Sequence, residues 1–406
     1  MDKTLDTKNW YGEVFTPDIL INELLDALPD RVWTNPNLRW LDPCAGTGQF
    51  FEAVLTRLMK TLAKMIPNER SRKHHIITRM LYMYELNPRN VAELRRRFIK
   101  CDQRVKIFGD NLRTSNTFCN IVSKNFLETT SPLRYDVIVA NPPFQSPKSA
   151  TYEGSVGNRT LWDKFVVHAL RHCQTKGIIA FITPSNWRRP EHPLYPILTQ
   201  SNTLHYLHIY GKQDGKTLFG VQSRFDLYVV STETKISEKR SLPIIIDEMG
   251  HKHLNINVAS WPFLPNFAYR LVRKYMTPSP TMPVVYHSSL YDARKLSRHK
   301  TKKYRFPVIH TLTREGPGIW YAQEKIGHFG HPKVILNVNE KQYPINDYKG
   351  EYGMSQLSFG IPIQTKKEGE DIIARILSDE FQTILRATKW SAFQTDYRMF
   401  KYIRFI

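Results

Sequence analysis

The sequence predicts a doubly wound α/β fold with a mostly parallel sheet, followed by a second, basic domain of mixed α/β composition. Apolar runs of strand length alternate with amphipathic helical segments up to about residue 236, as a parallel sheet requires. A glycine-rich turn directly follows the first apolar run. Beyond residue 236 this alternation ends, and prolines, aromatic residues and basic residues become frequent. The predicted domains span 1–235 and 236–406, which suits a chain too long for one ordinary core.

Each strand predicted in the first domain is a short apolar run between polar or turn-forming residues. The predicted strands cover 38–44, 80–86, 105–110, 135–140, 176–184, 204–211 and 224–233. Helices are predicted between strands over 50–65, 88–100 and 161–173, and Pro88 suits the first turn of its helix. Such helical connections return the chain to a parallel neighbour. In the second domain, one long helix is predicted over 369–390.

The chain carries an excess of positive charge, with 58 lysines and arginines against 37 acidic residues, a net charge of +21. This excess favours a polyanionic partner, above all nucleic acid, although a basic surface can also serve solubility alone. The N-terminus is polar and no apolar run approaches the roughly 20 residues that span a bilayer. A cytoplasmic protein without membrane contact is therefore expected. The four cysteines lack zinc-type spacing, so no metal site is predicted.

The first predicted strand runs directly into the turn "DPCAGTG", which contains Gly46 and Gly48. Two glycines one residue apart let the backbone turn tightly and let a ligand approach the main chain. The motif is not the dinucleotide pattern G-x-G-x-x-G, because Phe51 stands at the third place. It predicts a ligand-binding turn, and an ordinary strand–helix turn is the alternative.

Acidic residues end the next two predicted strands, Glu85 after "LYMY" and Asp110 after Gly109. A carboxylate in this place can accept hydrogen bonds from ribose hydroxyls or from an exocyclic amine, although either residue alone is also typical of a solvated strand end. The strand 135–140 then ends in the stiff corner "NPPF", whose two prolines fix φ and remove two backbone donors. Because the carboxyl ends of parallel strands meet in one crevice, these features are expected to line a single pocket.

The segments "DPCAGTG", "YELNP", "FGDNL" and "ANPPF", in this order, resemble the motifs of S-adenosylmethionine-dependent N6-adenine DNA methyltransferases. The upstream segment "GEVFTPDILINELLDAL" is similar to the Thr-Pro segment of the gamma arrangement, which is found in TaqI-like and Eco57I-like enzymes. The later segments "LWDKFVVHAL", "GIIAFITPSNW" and "RFDLYVV" are also similar to that group. The resemblance covers about residues 11–231. The basic second half matches the family's target-recognition domain in position only.

The resemblance implies a Rossmann-like methyltransferase sheet that binds S-adenosylmethionine with residues from successive motifs. The side of the cofactor that carries methionine would meet Thr16, Pro17, Asp42, Ala45, Gly46 and Gly48. Glu85 would bind the ribose hydroxyls and Asp110 the adenine amine. Leu86 and Leu112 would offer apolar faces to the adenine ring, and Asn141 would lie beside cofactor and substrate.

The resemblance also explains the stiff corner. Adenine N6 is a poor nucleophile because its lone pair is delocalised into the ring. The Asn141 side-chain oxygen and the Pro142 carbonyl, held rigid by Pro143, would accept the N6 hydrogens, and Phe144 would stack on the base. The methyl group would pass directly to nitrogen without a covalent enzyme intermediate, and orientation would supply most of the acceleration. Duplex DNA hides N6, so the adenine would have to be flipped out.

Basic and aromatic side chains near the corner and in the second domain are predicted to contact the nucleic acid, with a solvated surface as the alternative in each case. In the first half they are Lys148, Arg159, Trp187, Arg188 and Arg189. In the second half they form one basic run, consisting of Arg294, Lys295, Arg298, Lys300, Lys302, Lys303 and Arg305.

Other functions remain open at this point. RNA adenine and protein glutamine methyltransferases can use the same corner, because both substrates offer a planar amine or amide. A fused nuclease is a further alternative, since Asp226 and Glu233-Thr234-Lys235 superficially fit a D…E-x-K pattern, and so is a DNA-binding protein with a decayed site. Double-stranded DNA is the predicted partner, with a separate restriction endonuclease as a possible second one. The DNA recognition sequence and the oligomeric state are not readable from the sequence.

Overall fold

The computed structural model describes residues 15–100, 120–145, 160–232, 242–287, 295–325, 327–339, 341–391 and 394–405. The chain forms two compact units. The first consists of Met1–Pro184 with Pro196–Val258, and the second of Ser185–Tyr195 with Ala259–Ile406. The boundary therefore lies near residue 258 rather than at 235, and a short excursion at 185–195 joins the second unit.

One nine-stranded sheet organises the first unit. Its strands are β1 Trp40–Asp42, β2 Leu81–Glu85, β3 Ile121–Ser123, β4 Tyr135–Ala140, β5 Cys173–Pro184, β6 Thr203–Tyr210, β7 Phe225–Ser231, β8 Ile244–Ile246 and β9 Lys252–His253. They lie in the order β3-β2-β1-β4-β5-β7-β6-β8-β9. The five strands from β3 to β5 are parallel, whereas β7 runs antiparallel to both β5 and β6. The predicted α/β class with a mostly parallel sheet is confirmed.

The helices of this unit connect the strands, as the alternating pattern predicted. They are α1 Asp18–Asp26, α2 Gln49–Thr61, α3 Glu69–His75, α4 Pro88–Lys100, α5 Trp162–His172, α6 Leu194–Pro196 and α7 Lys212–Phe219, with α6 at the chain's return from the second unit. The core packs α1, α2 and α4 on the sheet: Leu24, Phe51 and Leu94 are fully buried beside strand residues such as Val137. These apolar faces explain why the segments form amphipathic helices.

Two details of this sheet differ from the prediction. The strand that pairs with β2 is Ile121–Ser123, whereas the strand predicted there, 105–110, lies outside the described residues. Strand β8 pairs with β6 and buries Ile245, which extends the first unit past residue 236. Short strands of two or three residues carry too little periodicity to be recognised in a sequence.

The direction of strand succession reverses between β1 and β4. From β1 the sheet continues to β2 and β3 on one side, and to β4 and β5 on the other. Loops leave the carboxyl ends of β1 and β4 toward opposite sides at this switch point, and a crevice opens between them. Asp42 and Asn141 therefore stand at the position where open α/β sheets bind their ligands.

The second unit contains two three-stranded sheets. Their strands are β10 Phe306–Thr313, β11 Gly316–Ala322, β12 Lys333–Asn337, β13 Ile345–Asp347, β14 Gly353–Met354 and β15 Ser358–Pro362, in the orders β11-β10-β14 and β13-β12-β15. Ile309, Ile335 and Met354 form a small core from strands of both sheets. Mixed α/β composition was predicted for this half.

The helices of the second unit are α8 Tyr269–Tyr275, α9 Lys366–Leu377 and α10 Asp379–Ala387. The single helix predicted over 369–390 is wrong, because Ser378 adopts an extended conformation and its side chain accepts the Phe381 amide as an N-cap. Among the described residues, no helix of either unit is long and apolar enough to cross a bilayer.

Candidate functional site

The glycine turn joins β1 to α2 and is fixed by hydrogen bonds to two strands. The Cys44 amide donates to Asp42 Oδ1 at 3.0 Å. The Ala45 amide donates to the Tyr84 carbonyl of β2 at 2.9 Å. These two bonds hold the path of the loop between the ends of β1 and β2.

The two glycines of the turn have different surroundings. Both have positive φ, +54° at Gly46 and +93° at Gly48, which favours glycine. A Cβ on Gly48 would lie 2.7 Å from Leu94 and 2.8 Å from Phe98, both of which belong to α4. A Cβ on Gly46 would meet no atom of the described residues within 4 Å. Gly48 thus allows close packing of α4, whereas Gly46 borders space that no described residue fills.

Glu85 connects β2 to this turn. Its Oε2 accepts from the Gly46 amide at 2.8 Å, and its Oε1 accepts from the Asn87 amide at 2.7 Å. The residue is 9% exposed. Two backbone donors therefore hold an acceptor-only carboxylate at the rim of the open space beside Gly46, as a ribose-binding residue requires.

Asp42 is buried beneath the turn. Burial, opposed by the hydrogen bond from the Cys44 amide and assisted by the negative charge of Glu85, raises the pKa of Asp42 to about 8. Burial also raises the pKa of the Cys44 thiol well above its usual value. Cys44 is therefore a protonated thiol at neutral pH and is unsuited to act as a nucleophile.

Asn141 stands at the end of β4 and contacts two other predicted motifs. Its main-chain carbonyl oxygen lies 3.7 Å from the Cys44 Sγ of the glycine turn. Its side-chain Nδ2 donates to Thr16 Oγ1 at 3.0 Å. No described residue donates to Asn141 Oδ1, and Asn141 is partly exposed. The amide therefore has its donor end occupied within the protein and its acceptor end open.

The corner after Asn141 is held at its far end. Pro142 is buried, whereas Pro143 and Phe144 are partly exposed. The Leu161 amide donates to the Phe144 carbonyl at 3.2 Å, and Gln145 forms an antiparallel bridge with Thr160. Phe144 is thus positioned by backbone contacts at the start of α5, while part of its ring remains accessible.

The structure brings together most residues that the resemblance implied for the cofactor. Direct contacts connect Thr16, Asp42, Cys44, Gly46, Glu85 and Asn141. Pro17 caps α1 beside Thr16, and Leu86 follows Glu85 with 54% of its surface exposed. Asp110 and Leu112 lie outside the described residues, and every cofactor role stays a prediction.

The sequence did not reveal one polar residue with defined contacts after β3. Because β3 is Ile121–Ser123, Asn125 lies two residues beyond the strand that pairs with β2. Its Oδ1 accepts from the Leu127 amide at 3.1 Å, and its Nδ2 donates to Glu128 at 2.8 Å. The signal was the short apolar pair before a polar residue in "NIVSKN", which is too weak to identify a strand.

The predicted nucleic-acid contacts after β5 need correction. Trp187 and Arg188 have no exposed surface in the second unit. Arg188 donates to the Leu264 and Pro265 carbonyls and, at 2.8 Å, to Asn266 Oδ1. Contact with nucleic acid is therefore wrong for Trp187 and Arg188. Their neighbour Arg189 is one-third exposed and lies 3.5 Å from Asp396, so its predicted contact stays open.

The basic run of the second unit forms a structured loop, which we call the 295–305 loop. Ser297 and Tyr321 of β11 exchange two backbone hydrogen bonds of 2.9 and 2.8 Å, and the Arg305 amide donates to Ala322 at 3.1 Å. The exposed cations between and beside these anchors are Lys295, Arg298, Lys300, Lys302, Lys303 and Arg305. The guanidinium of Arg298 lies over the Trp320 ring at 5.2 Å. Lys148, Arg159 and Arg294 lie outside the described residues.

The residues of the nuclease alternative do not form a metal site in the described chain. Asp226 is fully buried inside β7, between β5 and β6. Glu233, Thr234 and Lys235 lie outside the described residues. Among the residues that the structure describes, no group of three or more histidine, cysteine or acidic side chains could hold a metal ion.

The family described as Eco57I restriction-modification methylase matches residues 69–215 of this chain. The matched stretch contains Glu85 and the corner from Asn141 to Phe144. The resemblance inferred from the motifs is confirmed over these residues.

One curated relative is an uncharacterized adenine-specific methylase of Mycoplasma pneumoniae (strain ATCC 29342 / M129 / Subtype 1). It is 28% identical over 236 residues, which cover 43% of this chain and 55% of the relative. This chain thus spans about half the length of the curated relative that it matches.

Two solved structures extend the likeness over most of the chain. The ATP-dependent Type ISP restriction-modification enzyme LlaBIII, bound to DNA, matches with a TM-score of 0.56 and 9% identity, over 88% of this chain and 34% of that one. The DrdV–DNA complex matches with a TM-score of 0.50 and 11% identity, over 99% of this chain and 57% of that one. At such identities the likeness shows a shared fold alone.

Proposed function

We propose that this chain transfers a methyl group from S-adenosylmethionine to the exocyclic N6 amine of an adenine in duplex DNA. The observation that carries the proposal is the position of Asn141. It ends β4 at the switch point of the sheet, its Nδ2 is occupied by Thr16, and its Oδ1 is open. The matched methylase family and the adenine-specific relative support the same reaction.

The residues around the glycine turn fit the proposed cofactor. Open space adjoins the main chain at Gly46, as a ligand close to the backbone requires. Glu85 would accept from the ribose hydroxyls, and Asp42, buried beneath the turn, would adjoin the methionine side of the cofactor near Ala45. When bound, S-adenosylmethionine supplies the methyl group as an electrophile on sulfur. The contact of Asp110 with the adenine amine stays a prediction.

The corner residues would prepare the amine for attack. Asn141 Oδ1 and the Pro142 carbonyl would accept the two N6 hydrogens, which favours a more tetrahedral nitrogen with a directed lone pair. Phe144 would stack on the flipped base, a contact worth about 1–3 kcal/mol. The amine nitrogen held in this way would take the methyl group from the sulfur that carries it, and would then release one proton to solvent. Cys44 needs no role in these steps.

DNA would be held by the 295–305 loop in addition to the site itself. Its six exposed cations have no acidic neighbour between residues 295 and 305, so their charge is available to phosphates. One solved structure of similar fold is bound to DNA, which supports this partner. A separate restriction endonuclease as a further partner stays a prediction.

The test supplies radiolabelled S-adenosylmethionine with duplex DNA, total RNA or a release-factor peptide, and identifies the methylated product by nucleoside or peptide mass spectrometry. The proposal expects N6-methyladenine in DNA. Methylation of RNA alone would show that the site acts on RNA adenine, and methylation of the peptide alone would show that it acts on protein glutamine. No transfer to any substrate, together with no cofactor binding, would indicate a decayed site.

A further inference from the structure

We propose that Thr16 is a positioning residue for Asn141: its hydroxyl group holds one end of the side-chain amide in place and so keeps the other end, Oδ1, within reach of the substrate amine. The inference rests on the proposed function, because it assigns a task within the same site. It goes beyond the cofactor contact that the family resemblance implied for Thr16.

An asparagine side chain can reverse its two ends by rotation about χ2, because its oxygen and nitrogen have nearly the same size. The reversed amide would present two N–H donors to the N6 hydrogens, which are donors themselves. In the structure Nδ2 lies 3.0 Å from Thr16 Oγ1. The Thr16 hydroxyl can also donate to a reversed amide, so the two N6 donors of the substrate select the orientation of the amide. The bond to Thr16 fixes the place of the amide, so that its oxygen lies within reach of the amine.

Thr16 is itself held firmly enough to carry out this task. It is 5% exposed, and its branched side chain has few rotamers. Pro17 follows directly, restricts Thr16 to an extended backbone, and caps α1 with φ of −58°. The hydroxyl is therefore fixed by burial, by its own branching and by the proline beside it.

Helix α1 in turn is anchored to the sheet. Leu20 and Leu24 are buried in the core, and Glu23 accepts hydrogen bonds from three side chains of β6. Tyr206 donates to Glu23 at 2.9 Å, and His208 lies at 2.5 Å. The helix end that bears Thr16 thus has a fixed position relative to β4, 125 residues away in sequence.

The test compares Thr16→Val, which keeps the shape and removes the acceptor, with Thr16→Ser, which keeps the acceptor. Single-turnover methylation of duplex DNA is measured at saturating cofactor and DNA, and the Kd of S-adenosylmethionine is measured separately. We expect Thr16→Val to slow the transfer step about 2- to 12-fold, the range that one hydrogen bond supplies, with little change in Kd. Thr16→Ser should restore the rate.

Three results would overturn the assignment. The first is a wild-type rate in Thr16→Val. The second is a Thr16→Ser enzyme as slow as Thr16→Val. The third is a loss confined to cofactor Kd, with the rate at saturation unchanged, which would make Thr16 a cofactor contact only. If wild-type protein methylates no adenine in DNA, the proposed function fails instead, so the two failures are distinguishable.

Discussion

Alanine at the two glycines of the turn should separate folding from ligand binding. Gly46 and Gly48 lie two residues apart with positive φ, but only Gly48 has close neighbours. We expect Gly48→Ala to destabilise the first unit while the site keeps its chemistry. Gly46→Ala should cost less stability than Gly48→Ala and place a methyl group in the space proposed for the cofactor.

The magnitudes follow from the geometry. At Gly46 the φ of +54° lies in the left-handed region, where an alanine costs about 1–2 kcal/mol, and its Cβ would meet none of the residues that the structure describes. At Gly48 the φ of +93° is outside that region, a strain of about 1–3 kcal/mol. The approach of 2.7 Å to Leu94 adds overpacking of about 1–3 kcal/mol. Gly48→Ala should therefore cost about 2–6 kcal/mol in total, partly relieved if Leu94 and Phe98 shift.

Denaturant unfolding measures the stability of both variants, and calorimetric titration with S-adenosylmethionine measures binding at a temperature where both are folded. We expect Gly48→Ala to lose much of its stability and to keep its affinity for S-adenosylmethionine. We expect Gly46→Ala to lose less stability and to bind S-adenosylmethionine more weakly. Equal stability losses in the two variants would contradict the packing argument. Unchanged cofactor affinity in Gly46→Ala would contradict the placement of the cofactor beside this residue.

Two further predictions concern charge. The pKa of Asp42 is about 8 in the folded protein and lower in the unfolded chain, so the folded state binds more protons between about pH 4 and 8 and stability falls as pH rises through this window. The unfolding free energy of Asp42→Asn minus that of the wild type should therefore increase from pH 5 to pH 8.5. A difference that stays constant with pH would refute the argument that burial raises the pKa of Asp42. In the 295–305 loop, Lys302→Ala with Lys303→Ala should weaken duplex binding in anisotropy titrations and reduce the slope against log salt by about two. The control variant with Lys366→Ala and Lys367→Ala removes the same charge from α9. It should change neither the affinity for duplex DNA nor the slope against log salt.

The centre of the sheet was predictable because buried parallel strands are unmistakable apolar runs. Val137 to Ala140, for example, is followed by two prolines, so both the strand and its end could be read. Asp42, Glu85 and Asn141 were placed together by the rule that parallel strands deliver their carboxyl ends to one crevice. The contacts of the glycine turn with Glu85 and Asn141 agree with that expectation.

Features that depend on long-range packing could not be predicted. Arg188 looked like a surface cation, but it satisfies backbone carbonyls from residues 264 and 265 of its own unit, which no local pattern reveals. The strand β3 is only three residues long, so an apolar run at 105–110 was a stronger local signal. Ser378 divides the last helix by capping it, and a serine is compatible with a helix interior as well.

The most direct test of the account is the effect of Asn141→Ala on methyl transfer and on cofactor binding in the same preparation. The single-turnover rate of N6-methyladenine formation in duplex DNA should fall by about 10²–10³-fold, as for loss of a preorganised polar group at a reacting centre. The Kd for S-adenosylmethionine should stay close to that of the wild type, since Asp42, Gly46 and Glu85 remain in place. A wild-type rate of transfer in Asn141→Ala would contradict the central claim that the corner at Asn141 activates the adenine amine.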